Sequence, residues 1–102
     1  MHIWGQDAGE LRLRGRLDVH TVADVRLLLH EAIDDGEGDL VLDLGEVDVA
    51  DATALGVLVG AHRRAGRRGR RLVLRNVPPR LARMLIATRL YRILHIEYPV
   101  GV

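Results

Sequence analysis

The chain has no serine, no lysine and no cysteine. Without serine, every mechanism built on a seryl nucleophile is excluded. Without lysine there is neither a Schiff-base amine nor the lysine of a phosphate-binding P-loop, and all fifteen basic residues are arginine. Without cysteine there is no disulfide framework and no thiolate metal ligand, which agrees with a reducing compartment. Side-chain hydroxyls are confined to Thr21, Thr53, Thr88, Tyr91 and Tyr98, so phosphorylation has few places to occur. No apolar run approaches the roughly 18 residues that a membrane span needs. The opening "MHIWGQDAGE" has neither a basic region nor an apolar core. The expectation is a cytoplasmic protein with no membrane association. The histidines (2, 20, 30, 62 and 95) show no spacing that converges ligands, so neither a metal site nor a cofactor is expected.

What is present is a chain of 102 residues, 48% hydrophobic and 28% charged, enough for one core and expected to be a single domain over residues 1–102. "ELRLRGRL", Glu10 to Leu17, sets Leu11, Leu13 and Leu17 against Arg12, Arg14 and Arg16, the alternation of a strand with one wet face. Met1 to Trp4 is expected to pair with it through a turn at Asp7 to Gly9. From Thr21, Val22, Val25, Leu28, Leu29, Ala32 and Ile33 recur at helical spacing, with Thr21 as N-cap and Asp24 in the first turn. Leu40 to Leu44 reads as an interior strand covered on both faces. A second helix is expected from Asp51 to Ala65, with Leu55, Leu58, Val59 and His62 inward and Gly66 as its C-cap. A strand at Arg71 to Val77, a helix opened by Pro78 and Pro79, and a strand at Ile93 to Tyr98 complete the pattern. The expected fold is α/β, a mixed sheet of four to five strands with about three helices.

Three groups of residues have chemical potential. "HRRAGRRGRR", residues 62–71, holds six arginines. Such a run can bind a polyanion, but a net charge of +1 and the absence of interleaved aromatics favour a solvated surface, and nucleic acid is not an expected partner. In the acidic set Asp18, Asp43, Asp48 and Asp51, Asp18 ends one strand and Asp48 and Asp51 follow the neighbouring apolar one, and side chains at one end of adjacent strands gather at the sheet's rim, where open α/β sheets place their sites. Asp48 reads as an ordinary loop residue. Finally, Asp51 caps a helix and sets Thr53 at its second position, where backbone N–H groups and the dipole favour negative charge. A phosphate there would still add about −2 charge beside Asp18 and Asp51. The plainer alternative is a polar first-turn residue.

"GRLDVHT", "LVLDLGEVDVADATALGVLVGAHRRA" and "RLVLRNVPPRLARMLIATRLYRIL" together resemble a STAS domain of the bacterial anti-sigma factor antagonist type, from about Gly9 to Glu97. The family's Gly-Glu-Leu-Asp turn matches Gly15, Arg16, Leu17 and Asp18, with Thr21 opening the first helix. Its Asp-Ser-Ser-Gly-Leu-Gly motif matches Asp51, Ala52, Thr53, Ala54, Leu55 and Gly56. Its Leu-Thr-Gly-Leu segment is represented by Ala87, Thr88, Arg89 and Leu90. The resemblance implies a non-enzymatic regulator whose partner is an anti-sigma factor with serine/threonine kinase activity. It places the phosphoacceptor on Thr53 and the partner contacts on Asp18, Thr21, Asp51, Ala52, Ala54, Leu55 and Gly56. Ala52 and Ala54 depart from the motif, and Thr53 is β-branched where the family has serine. The alternatives are a STAS scaffold that binds proteins without phosphorylation and, less favoured, an arginine-cluster nucleic-acid binder. Such domains usually add a final helix beyond the position of Glu97. Its absence would leave apolar residues near the C-terminus partly bare, so a weak homodimer is also an expectation.

Overall fold

Apolar alternation and helical spacing take turns along the chain, and the backbone follows them. The computed structural model describes residues 2–7 and 9–97. Strand β1 (His2–Asp7) runs antiparallel to β2 (Glu10–Leu17), closing at the pair Asp7↔Glu10. Met1, Ala8 and Tyr98, which the expected strands and turn included, lie outside the described residues. Helix α1 (Val22–Asp34), β3 (Leu40–Val49), α2 (Thr53–Arg67), β4 (Leu72–Arg75), α3 (Pro79–Ala87), a 3₁₀ turn (Leu90–Arg92) and β5 (His95–Ile96) follow. The strand order is β1-β2-β3-β4-β5, with β2 to β5 mutually parallel. Each parallel step moves one strand in the same direction, so right-handed crossovers bring the helices to one face.

That face holds the core. Leu11, Leu13 and Leu17 of β2, Leu42 and Leu44 of β3, and Leu72 and Leu74 of β4 are buried with Val25, Leu29 and Ile33 of α1 and Leu81 and Leu85 of α3. Each fully buried leucine or isoleucine contributes about 1.5–3 kcal/mol. The alternate positions on β2 to β4 include Arg12, Arg14, Arg16, Asp43 and Arg75, and Arg75 pairs with Glu10 of β2 (3.1 Å) and with Glu97, just past β5 (2.9 Å). Strand β3 is therefore covered on one face only, with Val41 and Asp43 half-buried.

Several expectations need correction. Strand β3 runs on to Val49, because a bulge lets it re-pair with β2: Arg12 faces Asp43 but Arg14 faces Glu46. Asp48 thus lies on the strand, opposite Arg16. The inner face of α2 is Ala54, Val57, Leu58, Ala61 and Ala65, turned by about one residue from the expected set. The helix passes through Gly66, and the left-handed residue that ends it is Gly69 at φ 68°.

The arginine run is not a uniform solvated surface. Arg70 is only 7% exposed. Its guanidinium donates to the carbonyls of Ala32 (3.0 Å), Ile33 (2.7 Å) and Gly38 (2.8 Å), so it caps the C-terminal turn of α1, whose last carbonyls have no partner within the helix. Arg64 and Arg68 pair with Asp34, and Arg71 pairs with Asp39. Four of the six arginines of residues 62–71 therefore tie α2 and β4 to the α1–β3 connection, which leaves little of the run for a polyanion.

Candidate functional site

Parallel strands end together, so the junctions that leave β2, β3 and β4 share one rim. At the first, Asp18 Oδ1 accepts from the backbone N–H of His20 (2.8 Å) and Thr21 (3.2 Å), and Oδ2 accepts from Arg16 Nε (3.1 Å). The His20 N–H is the largest of the influences that hold the Asp18 carboxyl below its ordinary range. The Thr21 hydroxyl donates to the Arg16 carbonyl (2.8 Å) and accepts from the Asp18 N–H (3.0 Å). Thr21 occupies the N-cap position of α1 but makes no side-chain cap bond; its oxygen braces the turn that presents Asp18.

At the second junction the N–H of Ala50 donates to Leu17 (3.1 Å), extending the ladder to the point where α2 must begin. Asp51 Oδ1 accepts from the Thr53 N–H (2.8 Å). Ala52 already has helical dihedrals, and its carbonyl accepts from Leu55 (3.0 Å). Asp51 therefore does the capping, and Thr53 sits one position inside the helical turn. Hydrogen bonding from the Thr53 side chain, then from its N–H, holds the Asp51 carboxyl below its ordinary range. Asp18 opposes this shift and Arg80 adds to it, so groups from all three junctions lie within electrostatic reach of one carboxylate.

Of the residues expected to meet a partner, Ala52 and Gly56 are exposed and Asp18, Thr21, Asp51, Thr53 and Leu55 are half-buried. Ala54 is 0% exposed, so it belongs to the core and supports the rim from beneath; as a direct contact it is corrected here. Two rim residues carried no signal in the sequence. Val19 is 64% exposed beside Asp18, and Arg80 opens α3 after the β4 junction. Only the adjacency of β3 and β4 relates Arg80 to Asp51, although the parallel order of the elements could have suggested it.

The chemistry of the rim is that of a charge-sensitive surface. A phosphoryl group on Thr53 would set about −2 charge beside two carboxylates. The α2 dipole and Arg80 would offset part of that cost. Among the described residues no three His, Cys, Asp or Glu side chains converge as a metal site, and no helix is long and apolar enough to cross a membrane.

Comparison with known proteins matches residues 4–95 to a family model described as "Mlab, STAS domain". The anti-sigma-B factor antagonist of Staphylococcus aureus (strain NCTC 8325 / PS 47) is 30% identical over 88 residues, covering 86% of this chain and 82% of the relative. A crystal structure of a putative anti-sigma factor antagonist from Thermotoga maritima superposes with a TM-score of 0.76 at 21% identity, over 91% of this chain and 82% of that one. A variant of RsbS from Moorella thermoacetica superposes with a TM-score of 0.69 at 26% identity, over 89% and 79% of the two chains.

Proposed function

This chain belongs to the STAS domain family, and we propose that it is an anti-sigma factor antagonist whose partner is an anti-sigma factor with serine/threonine kinase activity. In this reading residues 1–102 work as one domain in the cytoplasm. The protein binds rather than catalyses, and phosphorylation of Thr53 switches its affinity for the partner.

One observation carries the choice of Thr53. The hydroxyls of Thr21 and Thr88 donate to backbone carbonyls, of Arg16 (2.8 Å) and Met84 (2.8 Å). The Thr53 hydroxyl is held by no backbone carbonyl among the described residues and stands beside the Asp51 carboxylate at a helix start, where a phosphoryl group meets the positive end of the helix without breaking a turn. The partner surface is the rim of Asp18, Thr21, Asp51, Ala52, Thr53, Leu55 and Gly56, with Val19 as its apolar contact. Docking desolvates whatever charge the rim carries, and a dianion beside Asp18 and Asp51 costs several kcal/mol there, more than the roughly 0.3–2 kcal/mol that the dipole returns.

The test is incubation with candidate anti-sigma kinases and ATP, phosphosite mapping by mass spectrometry, and calorimetric titration of three forms. Thr53→Ala is expected to refuse phosphate and keep its partner affinity, since the Thr53 N–H still caps to Asp51. Thr53→Asp is expected to fold and to bind at least tenfold more weakly, about 1.4 kcal/mol. Phosphate on Thr21 or Thr88, or a Thr53→Asp variant that binds like wild type, moves the reading to a scaffold that works without phosphorylation.

A further inference from the structure

The histidines share no spacing along the chain, yet the fold brings two of them together. His62 lies in the C-terminal half of α2 and His95 opens β5. Their ring centres stand 5.5 Å apart with the planes tilted by 51°. Both backbones are fixed, since α2 packs through Leu58, Ala61 and Ala65 and His95 pairs with Val73 in the parallel ladder. His62 is half-buried and His95 is exposed, so the pair opens to solvent on one side. Neither ring has a hydrogen-bond or ion-pair partner among the described residues, which leaves their nitrogen lone pairs available.

The separation suits chelation. An imidazole nitrogen binds Zn²⁺ at about 2.0–2.1 Å along the axis of its ring. Two rings on one ion at a tetrahedral angle therefore have centres about 5.2 Å apart, and at the right angle of a square-planar ion about 4.5 Å apart. The observed 5.5 Å lies nearer the tetrahedral value, and a small rotation of the exposed His95 side chain closes the difference. Neighbouring charge narrows the ion further. Mg²⁺ and Ca²⁺ need oxygen ligands, and the one carboxylate that lines the hollow around His95 belongs to Glu97, both of whose oxygens are held by Arg75. Arg63, next to His62, repels an ion held by charge alone.

We propose that His62 and His95 form a Zn²⁺ site that ties α2 to the edge strand β5, with water in the remaining positions. Strand β5 is two residues long and pairs only with β4, so a bond from its first residue to a helix braces the end of the sheet. Two protein ligands are half of a structural zinc set. At roughly half of such a set's binding free energy the dissociation constant is about 1–200 μM. The ion is therefore exchangeable.

The test uses the full chain without a polyhistidine tag at about pH 7.5, where free imidazole is neutral. Calorimetric titration with zinc chloride is expected to show one ion per chain, and the ring-proton signals of His62 and His95 are expected to shift together. His62→Gln and His95→Gln should each weaken binding at least about tenfold, with His30→Gln as the unchanged control. His95→Gln is the decisive variant, because an exposed side chain can be replaced without disturbing the core. Saturating Zn²⁺ should raise the urea midpoint of the wild type but not that of His95→Gln. Contact between the rings alone would also explain their distance, and it predicts no zinc binding. The proposal is overturned if no saturable binding appears below about 1 mM Zn²⁺, if the shifts fall on other histidines, if His95→Gln binds like wild type, or if excess Mg²⁺ displaces the zinc. The assay needs neither phosphate on Thr53 nor an anti-sigma factor, so its failure leaves the proposed function standing.

Discussion

Replacing Arg70 with methionine keeps the aliphatic stem and removes the guanidinium, which isolates what the buried cation does. Three of its bonds, to Ala32, Ile33 and Gly38, are 3.0 Å or shorter. Hydrogen bonds from a charged group contribute roughly 1.5–3 kcal/mol each, so the gross loss is about 4.5–9 kcal/mol. Against it stand the desolvation of the cation and about 2 kcal/mol of side-chain ordering that methionine largely avoids. The expected net loss is about 3–5 kcal/mol, which for a domain of this size lowers the melting temperature by at least about 12 °C. Arg70→Lys is expected to recover about half, because an ammonium cannot match a planar fork that reaches three carbonyls. Gly36 supplies an internal check, since a Cβ there would stand 3.2 Å from both terminal nitrogens of Arg70. Gly36→Ala should cost about 1 kcal/mol in the wild-type chain and close to nothing beside Arg70→Met. Urea unfolding followed by far-UV circular dichroism measures the four variants against the wild type. An Arg70→Met loss below about 1 kcal/mol, or a Gly36→Ala cost that is the same in both backgrounds, refutes the capping account.

Two further predictions concern stability alone. Gly60 lies inside α2, and an added Cβ would meet nothing within 4 Å; Gly60→Ala should therefore stabilise by about 0.5–1 kcal/mol, and a loss of stability in the same urea assay would show that the helix does not run as described. Burial holds His30 and His62 below the ordinary imidazole value of 6.5, so the unfolded chain takes up protons first, and stability is complete above that value and declines as pH falls through it toward the folded values. A second decline belongs below the ordinary carboxylate values of 3.8 and 4.5, as Asp34, Asp51 and Glu97 lose ionised forms held by Arg64, Thr53 and Arg75. Melting temperatures across pH should show both steps, and His62→Gln should flatten the first; a flat profile between about pH 7.5 and 5.5 would contradict it.

The sequence was most legible where local contrast was strong. On β2, leucine alternates with arginine and only one face is buried, so the register could be read directly. On α2 the residues from Ala54 to Ala61 are apolar nearly all round, so spacing alone could not say which stripe faces the sheet, and the expected face came out turned by one residue. The tail of β3 was hidden for a related reason: the bulge between Asp43 and Glu46 breaks the alternation that marks a strand. Arg70 was hidden because six arginines of one run look alike in sequence, while the carbonyls that select one of them for burial lie more than thirty residues away on α1 and its loop.

The candidate site divides along the same line. Asp51 and Thr53 could be read from a cap followed by a hydroxyl, because a cap is a local arrangement of side chain and backbone N–H. Arg80 could not, because what brings it within reach of Asp51 is the common end of parallel strands, and Val19, next to Asp18 in sequence, could not, because nothing local marks an apolar turn residue as exposed. The same topology explains why Ala54 was misassigned: adjacency to Thr53 in sequence suggested the surface, but on a helix its direction points into the sheet. A motif read along the chain thus contains both surface residues and those that hold them in place. At this rim they follow one another, with Ala52 exposed, Thr53 half-buried and Ala54 in the core. Enlarging Ala54 would therefore disturb Thr53 through packing, so a loss of binding there would report on the support and not on the contact surface.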